Sequence, residues 1–225
     1  MHYILRKWIK EILFLSPIPM RRYFFPGFEF QMEPPQLCYL CNCLQITKDV
    51  PGAILEVGCA YGATTLFLNR YLEAVGVDKD YVVIDTFSGF IQEDLDYEVT
   101  QRGKQRRLYI GKYAANKKKW FDGTMQIHRI DRVHSLQADV NHFDFSSLGK
   151  ISFCLIDVDL YRPVNRSLSQ IYPNLSIGGI MIIDDCDPGI VAWDGSYQAY
   201  KEWCQETGNP VDVVCGKLGV IHKRK

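Results

Sequence analysis

The chain has 225 residues, 47% of them apolar, and its Lys+Arg and Asp+Glu totals balance at 26 each. That length supports one substantial core rather than two, and the balanced charge gives no global attraction to nucleic acid or an anionic surface, so a small or neutral substrate is expected. Eight cysteines sit in apolar runs such as SFCLI and VDVVC; this points to reduced thiols and a cytoplasmic setting, and Cys38, Cys41 and Cys43 lack a second Cys/His pair at zinc-finger spacing.

Residues 1–50 read as a helical, Pro-interrupted leader. Ile4, Trp8, Ile12 and Leu15 recur at helical spacing, which predicts an amphipathic helix that packs on the domain or joins two copies in a homo-oligomer. Lys10 and Glu11 interrupt the apolar run, and Pro17 and Pro19 break it again, so no integral membrane span is expected. The domain proper is placed at 51–225. AILEV is a first strand ending at Gly58, and ATTLFLNRYL is the helix after it. YVVID, HSLQAD and ISFCLID are the next strands, the last stopping at Asp157. VNRSLSQIYPNL is a helix introduced by Pro163, GGIMIID a fifth strand, and SYQAYKEWCQET a further helix. PVDVVCGKLGVIHK forms two short strands around Gly216 and Lys217. The expectation is an α/β fold: a doubly wound, mostly parallel sheet closed by a C-terminal antiparallel hairpin, with ligands at the carboxyl ends of its strands. Residues 89–128 are rich in charge and aromatics without a strand pattern and read as a lid or insert.

Three groups of residues carry chemistry. EVGCAYGATT joins the first strand to its helix. Gly58 and Gly62 let the backbone approach a ligand, with Tyr61 and Thr64 in the same turn, and the amides at the helix start favour an anionic group. Glu56 can hold an ammonium group. The turn lacks a full G-x-G-x-x-G and the Lys-Ser/Thr of a P-loop, which counts against dinucleotides and nucleoside triphosphates. Asp85, followed by Ser88, ends the second strand where it can accept from ribose hydroxyls or cap the next segment. Asp139 is a similar candidate after the third strand.

Most specific are LIDVDLY and IIDDC. Asp157 ends one apolar run, and Asp184 with Asp185 ends the next, one crossover later. If the two strands are parallel neighbours, their ends lie about 5 Å apart and these carboxylates converge, which is costly without a cation or proton. Oxygen-only donors suit Mg²⁺, Ca²⁺ or Mn²⁺ better than zinc. Asp159 can serve as general base, and Asp157 can take that part instead.

These segments, together with SYQAYKEW, resemble the macrocin-O-methyltransferase family over roughly residues 52–207, the D-x-D-L-Y to D-D stretch being the most specific part. The resemblance implies a class I, Rossmann-like methyltransferase that uses S-adenosylmethionine and magnesium to methylate a hydroxyl of a small molecule, with a sugar or glycosylated natural product as the leading acceptor. It implies magnesium at Asp157, Asp184 and Asp185, and the methyl donor at Gly58 and Asp85. With the residues read above, the donor set becomes Glu56, Gly58, Tyr61, Gly62, Thr64, Asp85, Ser88, Asp139 and Asp157. The family's D-G-D reads D-V-D here at Val158, and its D-D-Y reads D-D-C at Cys186. Catechol-type methyltransferases share the metal logic but use a Lys near the first Asp, and no Lys occupies 158–166. A non-catalytic scaffold that keeps the fold is the competing class.

Overall fold

The computed structural model describes residues 2–15 and 30–224. Two compact units are distinguished, Met1–Gln31 and Met32–Lys225. The first contains helix α1 (His2–Leu15), on which Ile4, Trp8 and Ile12 are exposed; the Pro17 and Pro19 break lies outside the described residues. The second begins before residue 50 and takes in α2 (Pro34–Ile46), which buries Leu37, Leu40, Cys43 and Leu44. Pro34 and Pro35 start that helix, where their missing amides cost nothing, and Gln36 closes a reciprocal cap with Glu33.

The sheet strands are β1 (Ala53–Val57), β2 (Tyr81–Asp85), β3 (Val133–Gln137), β4 (Ile151–Ile156), β5 (Leu175–Ile183), β6 (Val213–Val214) and β7 (Leu218–His222). Their order is β3-β2-β1-β4-β5-β7-β6. The first five are parallel, and β7 runs antiparallel to both β5 and β6, as the hairpin expectation required. Helices α3 (Ala63–Ala74), α6 (Tyr161–Ile171) and α7 (Gly195–Thr207) alternate with the strands. On α6 the buried positions are Pro163, Val164, Ser167, Leu168 and Ile171, one face at helical spacing, and they join β4, β5 and α7 in the main core with Cys154, Ile156, Met181, Ile183 and Trp203.

The chain leaves β1 toward β2 and β3, then returns so that β4 pairs with the other edge of β1. The reversal falls between β1 and β4, at whose carboxyl ends doubly wound sheets bind ligands. Two backbone bonds fix what meets there: the Asp157 amide donates to the Val57 carbonyl at 2.7 Å, and the Asp184 amide to the Ile156 carbonyl at 2.9 Å. Residues 89–128 contain α4 (Gln92–Thr100), a short 3₁₀ turn (Arg106–Leu108) and α5 (Lys118–Ile127), and no strand. All eight cysteines are free, five of them buried. No helix among the described residues is long and apolar enough to cross a membrane.

Candidate active site

The turn after β1 is built around one close approach. Gly58 has φ +84°, and a Cβ there would lie 1.9 Å from the Asp157 carbonyl oxygen. Only glycine brings the β1 and β4 ends together this closely. Gly62, also at positive φ, begins α3 with Phe121 packed against it. Tyr61, between them, is 53% exposed, and Thr64, just after, is half-buried.

Asp85 braces this turn. Its Oδ2 accepts from the Cys59 and Ala60 amides at 2.8 and 3.0 Å, and its Oδ1 from the Phe87 amide at 2.6 Å. Those bonds hold Ala60 and Phe87 in left-handed conformations, φ 46° and 51°, which side chains other than glycine adopt rarely. Ser88 is exposed beside it. Asp139, past the end of β3, accepts from the Asn141 amide and side chain, and Asn141 Nδ2 also donates to Asp94 of α4.

Glu56 sits differently from the expected ammonium-binding position. Its carboxyl is 1% exposed and accepts from the Tyr81 hydroxyl at 2.6 Å, forming a buried tie between β1 and β2. Burial pushes its pKa up to about 7, with the Tyr81 hydrogen bond pulling the other way. A carboxyl raised on folding contributes stability that is complete below about pH 4.5 and is lost as pH rises through 7. Glu56→Gln, which keeps an acceptor for Tyr81, is therefore expected to be more stable than the parent above pH 7, by up to about 3 kcal/mol, with the gap closing near pH 4.5. Urea unfolding across that range measures it.

The carboxylates of Asp157, Asp184 and Asp185 converge, each offering one oxygen within 4.8 Å of the others. Asp159 and Asp185 have φ of 60° and 57°; aspartate tolerates this region better than most residues, and the Leu160 amide closes a tight turn over Asp159 onto the Val158 carbonyl at 2.6 Å. Burial first, then neighbouring carboxylates, hold Asp157 and Asp159 well above the usual carboxylate range. Asp184 is raised to about 6 by burial and Asp185, with Lys217 opposing. Its Oδ1 is buried without a hydrogen-bond partner. An orphaned oxygen in an all-carboxylate donor set fits a hard divalent cation.

Two residues not anticipated from the sequence complete the centre. Trp193 Nε1 donates to Asp159 Oδ1 and Asp185 Oδ2, both at 3.1 Å. Lys217 Nζ, from the β6–β7 turn, donates to Asp184 Oδ2 at 2.7 Å and Asp185 Oδ1 at 3.2 Å. No lysine follows Asp157 directly, but this one arrives from another element.

The insert covers Trp193. Tyr109 and Phe90 pack on the indole at 4.7 and 6.1 Å between centroids, and Lys112 Nζ lies 4.1 Å from its ring. On α4, buried Glu98 accepts from the Tyr161 amide at 2.8 Å and pairs with Arg102. Arg102 and Lys104 both reach Asp194, at 2.6 and 2.7 Å. The insert is thereby pinned to the residue after Trp193.

The macrocin-O-methyltransferase (TylF) family profile matches residues 36–215. The chain belongs to that family. The 8-demethyl-8-(2,3-dimethoxy-alpha-L-rhamnosyl)-tetracenomycin-C 4'-O-methyltransferase of Streptomyces olivaceus is 25% identical over 150 residues, 62% of this chain and 55% of that protein; the chain thus spans about half the length of this relative. Among solved structures, the O-methyltransferase NovP superposes with TM-score 0.71 at 17% identity, covering 88% of this chain and 84% of its own. CalS11, a calicheamicin methyltransferase, gives TM-score 0.70 at 20% identity over 96% and 90%. At those identities the likeness establishes the class I methyltransferase fold. Macrocin-O-methyltransferase membership also extends the matched region back to residue 36, into α2.

Proposed function

We propose that this chain is an S-adenosylmethionine-dependent, divalent-cation-dependent O-methyltransferase acting on a hydroxyl of a sugar or glycosylated small molecule. The observation that carries the reading is the convergence of Asp157, Asp184 and Asp185 beside the Gly58 turn, a carboxylate set suited to a hard cation next to a glycine turn suited to a donor. The family's description and the relative's rhamnosyl substrate support the sugar acceptor.

Asp157, Asp184 and Asp185 would hold the cation, which would supply Lewis acidity toward the acceptor hydroxyl. Gly58, Tyr61, Gly62 and Thr64 line the donor side. Asp85 keeps the turn open from behind through its amide bonds, with Ser88 and Asp139 on the same edge. Asp159, fixed by Trp193 and outside the three-carboxylate set, takes the hydroxyl proton. The insert, pinned through Glu98, Arg102 and Asp194, keeps Trp193 over the carboxylates and limits water. Most of the acceleration comes from alignment, because methyl transfer from a sulfonium is an in-line displacement.

Calorimetry with S-adenosylmethionine, followed by turnover on a panel of glycosides and catechols with Mg²⁺ or chelator, tests the reading. Donor binding and Mg²⁺-dependent methylation of a glycoside are expected. Donor binding without turnover on any acceptor would favour a scaffold role, and equal turnover in chelator would remove the cation.

A further inference from the structure

We infer that the Lys217 ammonium is a tethered cation that occupies the Asp184 and Asp185 oxygens and must yield them when a divalent ion binds; this rests on the cation-dependent reading above.

Among the described residues, Lys217 is the cation paired with the centre, its Nζ 2.7 Å from Asp184 Oδ2 and 3.2 Å from Asp185 Oδ1. The Trp193 indole, which donates to Asp185, is neutral. Metal-free, the lysine is therefore what offsets carboxylates crowded at the ends of β4 and β5. A divalent ion drawing on the same three residues, whose ligand oxygens lie within 4.8 Å of one another, would sit within a few ångströms of that ammonium. Like charges at such separations repel even where solvent screens them in part, so the two cations oppose each other there.

The turn is built for exchange. Cys215 and Gly216 have φ of 49° and 82°, giving a tight loop between β6 and β7, and the Lys217 carbonyl is fixed by the Cys186 amide at 2.7 Å. The backbone stays anchored while the side chain, 21% exposed, swings on its four-carbon stem toward water. Lys217 thus preserves the spacing of the carboxylates when metal-free and sets a threshold for cation loading, acting as a positioning residue.

Mn²⁺ is the probe, with binding to the full chain followed by electron paramagnetic resonance. Lys217→Met is expected to bind Mn²⁺ about tenfold or more tightly than the parent, and its metal-free thermal midpoint to fall below the parent's, with the gap narrowing at saturating Mn²⁺. In the unsubstituted chain, amine acylation read by mass spectrometry is expected to increase at Lys217 on adding Mn²⁺, with exposed Lys201 as the unchanged reference; this arm is independent of how the variant folds. Equal or weaker Mn²⁺ binding by the variant, or acylation at Lys217 that stays flat or falls, overturns the exchange. Absence of Mn²⁺ binding in both proteins overturns the cation reading and the exchange together, whereas equal binding in both overturns the exchange alone.

Discussion

Asp159→Asn is expected to lower kcat by about 10²–10⁴-fold while leaving S-adenosylmethionine and Mn²⁺ affinities within a few-fold of the parent. Asparagine is the informative replacement. It tolerates the left-handed backbone at this position, and its oxygen still accepts from Trp193 Nε1 as Asp159 Oδ1 does. The fold and the indole therefore stay in place while the capacity to accept a proton is removed. Turnover at saturating donor and acceptor, with donor affinity measured separately by calorimetry, isolates the chemical step. A variant with near-parental kcat would pass the base role to Asp157.

Asp157→Asn is expected to act in opposite directions on function and stability. Cation-dependent turnover should fall by about 10²-fold or more, since a neutral amide replaces one of three charged donors. The metal-free protein should melt at a higher temperature than the parent. Asp157 is held well above the ordinary carboxylate range by burial and then by Asp184, Asp159 and Asp185. A carboxyl raised in this way contributes stability at low pH that is lost as pH rises, so the advantage of the variant grows from acidic to alkaline conditions. In a chain of this size each 1 kcal/mol relieved shifts the midpoint by about 2–4 °C. Scanning calorimetry in chelator at pH 5 and pH 8 reads both the sign and its pH dependence; a variant less stable at pH 8 would contradict the electrostatic account.

The carboxylate centre was legible because its parts obey local rules. Each apolar run ends where its strand leaves the core, so Asp157 and Asp184 fall side by side once their strands are parallel neighbours, as β4 and β5 are. The same logic found the C-terminal hairpin. It failed for residues whose role depends on reach. Lys217 lies in a three-residue turn whose sequence discloses nothing of where the side chain extends, and Trp193 ends a single 3₁₀ turn (Val191–Trp193) between β5 and α7. Glu56 shows a different failure: position near a strand end suggested an open ligand site, whereas side-chain alternation turns it inward to the Tyr81 hydroxyl of the neighbouring strand. Asp85 lies where expected, but its amide partners Cys59, Ala60 and Phe87 depend on two left-handed residues that composition does not reveal. In the insert, the charge-rich sequence carries no pattern that distinguishes Glu98 and Arg102, whose side chains are buried as a pair.

The position of Lys217 has a consequence for the order in which the polypeptide is made. During synthesis the Asp184 carboxylate emerges 33 residues before the ammonium that pairs with it, and β7, which covers β5, emerges after both. Until that hairpin is released from the ribosome, β5 is an open edge beside a group of uncompensated negative charges. Such an edge invites pairing with other chains, but charge crowded at its end opposes close approach. That charge is offset, and that edge covered, only once Lys217 and β7 are both in place.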